Sequence, residues 1–281
     1  MVRLAFCGTR GSTTAPGAEF IRYGGHTSCV ALSHDGDAGP ALILDAGTGL
    51  REVTPLLGGR PFAGTILLSH LHWDHVHGLP FFRGGDTEGA TVDLLLPDQE
   101  DGASAEAVLE RGMSPPHFPI RPSELRGDWR FGTVAPGSFD AAGFRIEARE
   151  VPHKGGRTFG YRVSDGQSAL AYIPDHCPTL LGPGPDGLGA YHEAAVQLVR
   201  DADVLIHDAS LVAGELAAQV AFGHAAAEYA VGLAKAAGAR EVVLFHHRPD
   251  RTDDELDEIG RRLAGGPVPV TVARQQRILS L

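Results

Sequence analysis

The chain has 281 residues, of which 43% are hydrophobic, and carries a formal net charge of −11. This length allows one large domain or two modest ones with a sizeable core. The negative charge argues against a surface built mainly to bind the phosphate backbone of a nucleic acid.

The cysteines and the amino terminus indicate the compartment. Cys7, Cys29 and Cys177 show no C-x-x-C spacing and are typical of free thiols in a reducing compartment. Met1–Gly8 is too short and too little apolar for a signal peptide, and no apolar run is long enough to span a bilayer. We therefore expect a cytoplasmic protein.

The first part of the chain predicts short strands that each end in a turn. The glycine turn at 8–12 can bring backbone N–H groups close to an anion. Asp45 ends an apolar strand and can either orient a metal-bound histidine or form a turn with its own backbone. A short helix is predicted at 50–57. The strands are predicted at 2–7, 29–33, 41–44 and 65–68.

Four histidines and an aspartate lie within the ten residues 69–78, directly after the fourth strand. In a turn, His70 and His72 can point at one ion, while Asp74 and His75 can reach a second ion. Imidazole and carboxylate suit zinc, manganese and iron. Two ions roughly 3.5–4 Å apart can clamp the attacking and leaving oxygens of a displacement. The alternatives are a histidine-rich solvated turn and a single structural metal site.

The proline-rich segment 113–119 cannot continue the helix before it, because proline removes a backbone donor. Its position makes it either a lid over the site or a surface connection. His26, in the second glycine turn, is either a pocket residue or a hydrogen-bonded histidine.

Strands and helices alternate through the rest of the chain. Thr252 and Glu255 form a predicted capping box at the start of the last helix. Two runs of strands interleaved with helices predict one two-sheet domain with outer helices over residues 1–281. The strands are predicted at 91–96, 129–134, 143–151, 159–163, 169–173, 204–209, 241–245 and 268–273. The helices are predicted at 103–111, 191–200, 225–237 and 252–263.

Histidines and aspartates also follow the later strands. His153, Asp175 and His246 each lie at or just past a strand end, and His247 is a neighbouring alternative to His246. Cys177 is interpreted as a packed small residue rather than a metal ligand. The candidate ligands are thus His70, His72, Asp74, His75, His153, Asp175 and His246.

This set resembles the metallo-β-lactamase superfamily, whose fold is an αββα sandwich of two mixed sheets with a metal centre along one edge. The run 70–75 matches its H-x-H-x-D-H signature, and Asp45, His153, Asp175 and His246 match the remaining motifs in order. The resemblance implies one ion on His70, His72 and His153. It implies a second ion on Asp74, His75 and His246, with Asp175 bridging the two ions and Asp45 behind the ligands.

A finer resemblance is to the ribonuclease Z-like and cyclic-nucleotide phosphodiesterase branch. That branch carries a His-Glu-Ala-Thr and a Gly-His-Ser-Thr motif, whose counterparts here are 207–210 (H-D-A-S) and 223–226 (G-H-A-A). The resemblance implies that His224, oriented by Asp208, donates a proton to an alkoxide leaving group.

The sequence thus predicts a binuclear metal-dependent hydrolase, a phosphodiesterase that cleaves a small phosphodiester, such as a cyclic nucleotide or cyclic sugar phosphate, through metal-bound hydroxide. Its catalytic residues would be Asp74, His224 and Asp208. Zinc is the expected metal, with manganese or iron as alternatives, and a homodimer is a family-level expectation. Structured RNA is not expected as a substrate, because no basic arm is inserted and the net charge is −11. The alternatives are a lactone or thioester hydrolase of the same fold and a non-catalytic metal-binding regulatory module.

Overall fold

A computed structural model describes residues 1–281, which form fourteen strands in two seven-stranded sheets. In chain order the strands are β1 Val2–Gly8, β2 Cys29–His34, β3 Leu42–Leu44, β4 Ala63–Leu67, β5 Thr91–Pro97, β6 Asp128–Val134, β7 Gly137–Ala141, β8 Phe144–Glu150, β9 Phe159–Ser164, β10 Ala169–Ile173, β11 Val204–Asp208, β12 Val242–Phe245, β13 Val270–Val272 and β14 Ile278–Ser280.

Both sheets are mixed, and their strand orders mirror each other. The first sheet runs β14-β1-β2-β3-β4-β5-β6 and is antiparallel up to β3 and parallel from there to β6. The second sheet runs β13-β12-β11-β10-β9-β8-β7, with its parallel part at β10–β13. Parallel strands place their carboxyl ends at one edge, and this edge carries the histidines and aspartates of interest.

Helices cover the outer face of each sheet. They are α1 Val53–Leu56, α2 Trp73–Val76, α3 Ala105–Glu110, α4 Glu193–Val199, α5 Ala213–Gln219, α6 Ala227–Ala237 and α7 Asp253–Leu263. None of these helices combines the length and the apolar character needed to cross a membrane.

Apolar side chains of the strands alternate between two faces. In β4, Ile66 packs outward against the helices, while Leu67 faces the interior between the sheets. In β11, Leu205 packs outward and Ile206 inward. Because both sheets bury both faces, the result is a four-layer αββα sandwich, and the predicted fold class is confirmed.

The predicted capping box is present, and two of the predicted strands form a hairpin. β9 and β10 pair antiparallel. Thr252 Oγ1 accepts from Glu255 N at 3.3 Å, and Glu255 Oε2 accepts from Thr252 N at 2.8 Å. Four elements were missed: α2, β7, α5 and β14. β7 and β14 are mostly exposed edge strands with no buried residue, so their sequences lack a strong apolar pattern.

Candidate metal centre

The candidate ligands converge at the carboxyl ends of strands from both sheets. The turn after β4 supplies His70 and His72, and the short helix α2 supplies Asp74 and His75. The others lie just past β8, β10 and β12, and are His153, Asp175 and His246.

The first donor set consists of His70, His72 and His153, whose donor atoms lie within 4.8 Å of one another. His72 Nδ1 is 3.3 Å from His153 Nε2. His70 Nδ1 contacts Ser69 Oγ at 3.0 Å, whereas its buried Nε2 has no hydrogen-bond partner. Burial is the main cause that lowers the pKa of His70, which keeps it neutral and able to donate a lone pair.

The second donor set consists of Asp74, His75 and His246. His75 Nε2 lies 3.3 Å from both His246 Nε2 and Asp74 Oδ2, and His246 Nε2 lies 3.1 Å from Asp74 Oδ2. All three side chains are buried. Burial alone would raise the pKa of Asp74, but His75 and His246 outweigh it and hold this pKa below its usual range.

Asp175 lies between the two sets. Its Oδ1 is 3.5 Å from His153 Nε2, and its Oδ2 is 3.0 Å from His75 Nε2 and 3.3 Å from His246 Nε2. The two carboxylate oxygens therefore face different donor sets, as a bridging ligand requires.

The donor set fits divalent cations by distance and by chemistry. Donors on a tetrahedral ion with bonds of about 2.0–2.1 Å lie roughly 3.3–3.4 Å apart, close to the separations given above. His153 Nδ1–H donates to the Gly223 carbonyl at 2.9 Å, so its Nε2 carries a lone pair toward Asp175. The Nε2 lone pair of His153 and the Asp175 Oδ1 atom, 3.5 Å apart, repel each other unless a cation lies between them.

Asp45 is fully buried behind the ligands. Its Oδ2 accepts from His75 Nδ1 at 2.8 Å, from Tyr172 Oη at 2.7 Å and from Ser69 Oγ at 2.8 Å. Its Oδ1 accepts from Ser69 N at 2.6 Å. The contact between Asp45 Oδ2 and His75 Nδ1 fixes the proton of His75 on Nδ1 and leaves its Nε2 free for a metal.

The glycine turn after β1 closes over the second donor set. Ser12 N–H donates to Asp74 Oδ2 at 2.6 Å, so a backbone amide of this turn does meet an anion. A Cβ at Gly11 would lie 2.2 Å from the His246 ring, so only glycine allows the turn to approach this closely.

The structure distinguishes His246 from its neighbour His247. His247 Nε2–H donates to the Ala273 carbonyl at 2.9 Å, and its ring packs edge-on against Tyr23 at 6.1 Å. It belongs to neither donor set, whereas His246 belongs to the second. Cys177 is likewise outside the donor sets and contacts Thr179 Oγ1 at 3.5 Å.

Asp208 and His224 form a pair beside the ligands. His224 Nδ1 lies 3.1 Å from Asp208 Oδ2 and 3.6 Å from Asp175 Oδ1. The Asp208 carboxylate is also held by the backbone N–H groups of His176, Ser210 and Ala225. Burial opposes protonation of the imidazole, but Asp208, Asp175 and Asp74 outweigh it and raise the pKa of His224 to about 9.

A chain of three imidazoles lies behind this pair and was not predicted. His192 Nδ1 accepts from Ala195 N, so His192 Nε2–H donates to His176 Nε2 at 2.9 Å. His176 Nδ1–H then donates to His207 Nε2 at 3.0 Å, and His207 Nδ1–H donates to the Asp208 carbonyl at 2.7 Å. The partners fix every tautomer, and all three rings are neutral. Burial is the main cause that lowers the pKa of each ring. Only the position of His176 after Asp175 hinted at this chain.

Three residues of the segment 113–119 line a groove. They are Met113, His117 and Phe118, and they share it with Trp73 and residues of the first sheet's helices and turns. His26 lines the same groove and contacts Thr48 Oγ1 through Nδ1 at 3.1 Å.

Comparisons with known proteins place the chain among related sequences. A family model described as a β-lactamase superfamily domain matches residues 41–247. A ribonuclease Z of Bacillus thuringiensis (strain Al Hakam) is 25% identical over 271 residues, covering 82% of this chain and 85% of that protein.

Two solved structures share the fold along the whole chain. The metallo-β-lactamase fold protein YhfI from Bacillus subtilis has a TM-score of 0.73 at 18% identity and covers 100% of both chains. A diphosphatase from the PhnP family has a TM-score of 0.69 at 18% identity and covers 100% of this chain and 98% of that one.

The expectation that excluded structured RNA is not supported by these comparisons, because similar proteins are named ribonuclease Z. Net charge is a poor guide to the substrate, because it is a sum over the whole surface, whereas a substrate responds to the local field of its site. Three arginines line the groove beside the donor sets despite the net charge of −11.

Proposed function

Since the chain belongs to the metallo-β-lactamase superfamily, in its ribonuclease Z-like branch, and is a metal-dependent hydrolase, we propose that it is a phosphodiesterase. Its substrate would be a small phosphodiester, a cyclic one included. The relatives' names support this bond class, because a ribonuclease and a diphosphatase both cleave phosphorus–oxygen bonds.

The Asp208–His224 pair is the observation that carries the proposal. Cleavage of a phosphodiester releases an alkoxide, which needs a proton at neutral pH. Asp208 accepts the Nδ1–H of His224, so the Nε2 of a protonated His224 can deliver a proton to the leaving oxygen. The ring lies 9% exposed beside Asp175, within reach of a substrate on the donor sets.

We propose that the donor sets hold two divalent ions, with zinc as the expected metal and manganese or iron as alternatives. His70, His72 and His153 would hold one ion, Asp74, His75 and His246 the other, and Asp175 both. Bound ions would supply an activated water molecule and neutralise charge on the phosphate. Asp74 would serve both as a ligand and in aligning the attacking water.

Three further expectations accompany this proposal. We propose that residues 1–281 act as a single hydrolase domain, since both sheets supply ligands to one centre. We propose a cytoplasmic setting, because Cys7, Cys29 and Cys177 are all free thiols. The homodimer stays a prediction, which sedimentation equilibrium checks.

The test compares leaving groups in purified, zinc-loaded protein. His72→Ala should abolish all hydrolysis, because it removes a donor of the first set. His224→Gln should lower turnover of a 2′,3′-cyclic nucleotide by roughly 10²–10⁴-fold, the usual contribution of a general acid. The same variant should lower turnover of bis(p-nitrophenyl) phosphate much less, because p-nitrophenolate leaves without a proton.

The matched control is His34→Gln, a histidine that stacks on Phe144 away from the donor sets. Normal turnover by His72→Ala would contradict the proposal. So would faster hydrolysis of a lactone or thioester than of every phosphodiester tried, which would favour acyl-bond cleavage. If no substrate is hydrolysed but zinc still raises the thermal stability of the protein, the result would favour a metal-binding module.

A further inference from the structure

A groove of about 1130 Å³ adjoins the donor sets but contains none of their side chains. It is built entirely from the first half of the chain, between Thr14 and Arg126. Trp73 lines it and lies between the candidate ligands His72 and Asp74. Neighbouring Cα atoms are only about 3.8 Å apart, so the groove runs beside the segment that carries these two candidate ligands.

Exposed aromatic rings line this groove. Trp73 is 72% exposed and Phe81 is 59% exposed, which is unusual for such large apolar side chains. One face of Trp73 stacks on His77, with ring centroids 5.4 Å apart and planes at 20°. Phe81 meets Phe118 edge-on at 5.9 Å. His77 thus supports the indole from one side and leaves it available for stacking.

The groove is also locally positive. Arg51 and Arg83 line it, are exposed and form no salt bridge, so their guanidinium groups are available for an anion. A third arginine, Arg126, is paired with Asp86 through contacts of 3.0 and 3.3 Å. Unpaired arginines beside a flat aromatic ring are the combination that binds a base and its phosphate.

We propose that this groove binds a nucleotide unit, with the base stacked on Trp73 and a phosphate held by Arg51 and Arg83. This inference rests on the proposed phosphodiesterase function and names its substrate class, a nucleotide ester. Asp208 and His224 approach the centre from the second sheet, whereas the groove belongs to the first sheet. The nucleotide in the groove is therefore the retained part of the substrate, and the leaving group faces His224.

The kinetic test uses two esters with the same leaving group. Thymidine 5′-(p-nitrophenyl) phosphate and methyl p-nitrophenyl phosphate differ only in the nucleoside. We expect the zinc-loaded protein to prefer the thymidine ester at least tenfold in kcat/KM. Trp73→Leu should remove most of this preference, mainly by raising KM for the thymidine ester.

The binding test uses 5′-AMP, a monoester that reports on the groove without turnover. Saturable quenching of tryptophan fluorescence should persist in Trp129→Phe and disappear in Trp73→Leu. The double change Arg51→Gln and Arg83→Gln should weaken binding of 5′-AMP at least tenfold, with a reduced salt dependence. The matched control, Arg261→Gln on α7, should bind as the unchanged protein does.

A ribotetranucleotide shows whether the groove binds a nucleic-acid strand or a single nucleotide. Tighter binding of the tetranucleotide than of 5′-AMP indicates a strand, and equal binding indicates a single nucleotide; both outcomes support a nucleotide site. Hydrolysis of both esters at equal kcat/KM in the unchanged protein would overturn the groove inference and leave the phosphodiesterase proposal standing. Trp73-dependent binding of 5′-AMP without hydrolysis of either ester would support the groove and count against the phosphodiesterase.

Discussion

Asp45 is a buried side chain that orients His75 in the candidate metal centre. Its Oδ2 accepts three hydrogen bonds, and the one from His75 Nδ1 decides which nitrogen of that ring is free. Its φ of 61° lies in the left-handed region, which asparagine and aspartate tolerate better than other non-glycine residues. Asp45→Asn is therefore a change of hydrogen bonding with little change of backbone preference.

We predict that Asp45→Asn weakens zinc binding by roughly 10–100-fold, the range found when a metal ligand loses its orienting partner. The amide of asparagine cannot accept at both oxygen positions, so His75 loses the contact that holds its ring proton on Nδ1. Competition with a chromophoric chelator measures the change. Asp140→Asn, an exposed carboxylate, is the control. Equal zinc affinity in both variants would show that Asp45 does not act through His75.

At the scale of elements, a buried arginine holds together the loops around the second donor set. Arg10 is fully buried; its Nε donates to the Gly24 carbonyl at 2.8 Å, and its Nη1 donates to the Arg251 carbonyl at 2.6 Å. Burial lowers the pKa of Arg10, and Asp253 at 3.7 Å opposes this shift. The glycine turn and the loop after His246 are therefore fixed relative to each other, which keeps Ser12 on Asp74.

The imidazole chain connects the start of α4 to the Asp208–His224 pair. Each ring has one donor and one acceptor in use, so no ring can take a second proton without losing a hydrogen bond. The chain therefore requires neutral histidines and ties Asp208 to the helix α4. The ring closest to solvent is His192, which is half-buried.

We predict that this chain makes the fold sensitive to acid. The folded-state pKa of His192 lies below its value of about 6.5 in the unfolded chain, chiefly through burial. As the pH falls below about 6.5, protons bind preferentially to the unfolded state, and the free energy of unfolding decreases. His192→Asn, which keeps a good N-cap for α4, should lose less stability than the unchanged protein between pH 7.5 and pH 5.5.

Urea unfolding of both proteins in excess chelator measures this difference, since the candidate metal ligands then contribute equally to both. An identical pH dependence in the two proteins would mean that His192 does not titrate on unfolding.

At the scale of the whole molecule, the two sheets contribute different parts of the site. The first sheet supplies the H-x-H-x-D-H turn and the groove, and the second supplies Asp175, His246 and the Asp208–His224 pair. Packing of the sheets brings them together, with Phe6 and Phe245 meeting across the interior at 6.3 Å. The centre therefore forms only in the folded chain, and ions bound to it stabilise the folded state.

We predict that removal of metal lowers the thermal midpoint and that zinc restores it. Zinc at about 100 times its dissociation constant adds about 2.7 kcal/mol, or roughly 5–10 °C for a chain of this size. Elemental analysis should find two ions per chain and fewer in Asp175→Asn, which loses the bridging contact. Asp140→Asn should bind as the unchanged protein does. Two full ions in Asp175→Asn would refute the bridging role.

The sequence by itself determined the fold class and the residue types of the site. The H-x-H-x-D-H run and the histidines at strand ends are local patterns, and the period of apolar residues predicts strands without knowledge of their partners. The position of Asp45 at a strand end singled it out as a candidate, and the resemblance to the ribonuclease Z-like branch singled out Asp208 and His224.

Only the tertiary structure decided which of two adjacent histidines joins the centre. His246, with φ of 58°, turns toward Asp74 and Asp175, whereas His247 turns to Ala273. The imidazole chain and the aromatic, arginine-lined groove likewise join residues that are far apart along the chain. Such contacts depend on strand order, register and packing. These features arise between residues that are far apart along the chain, so they leave no local signal in the sequence.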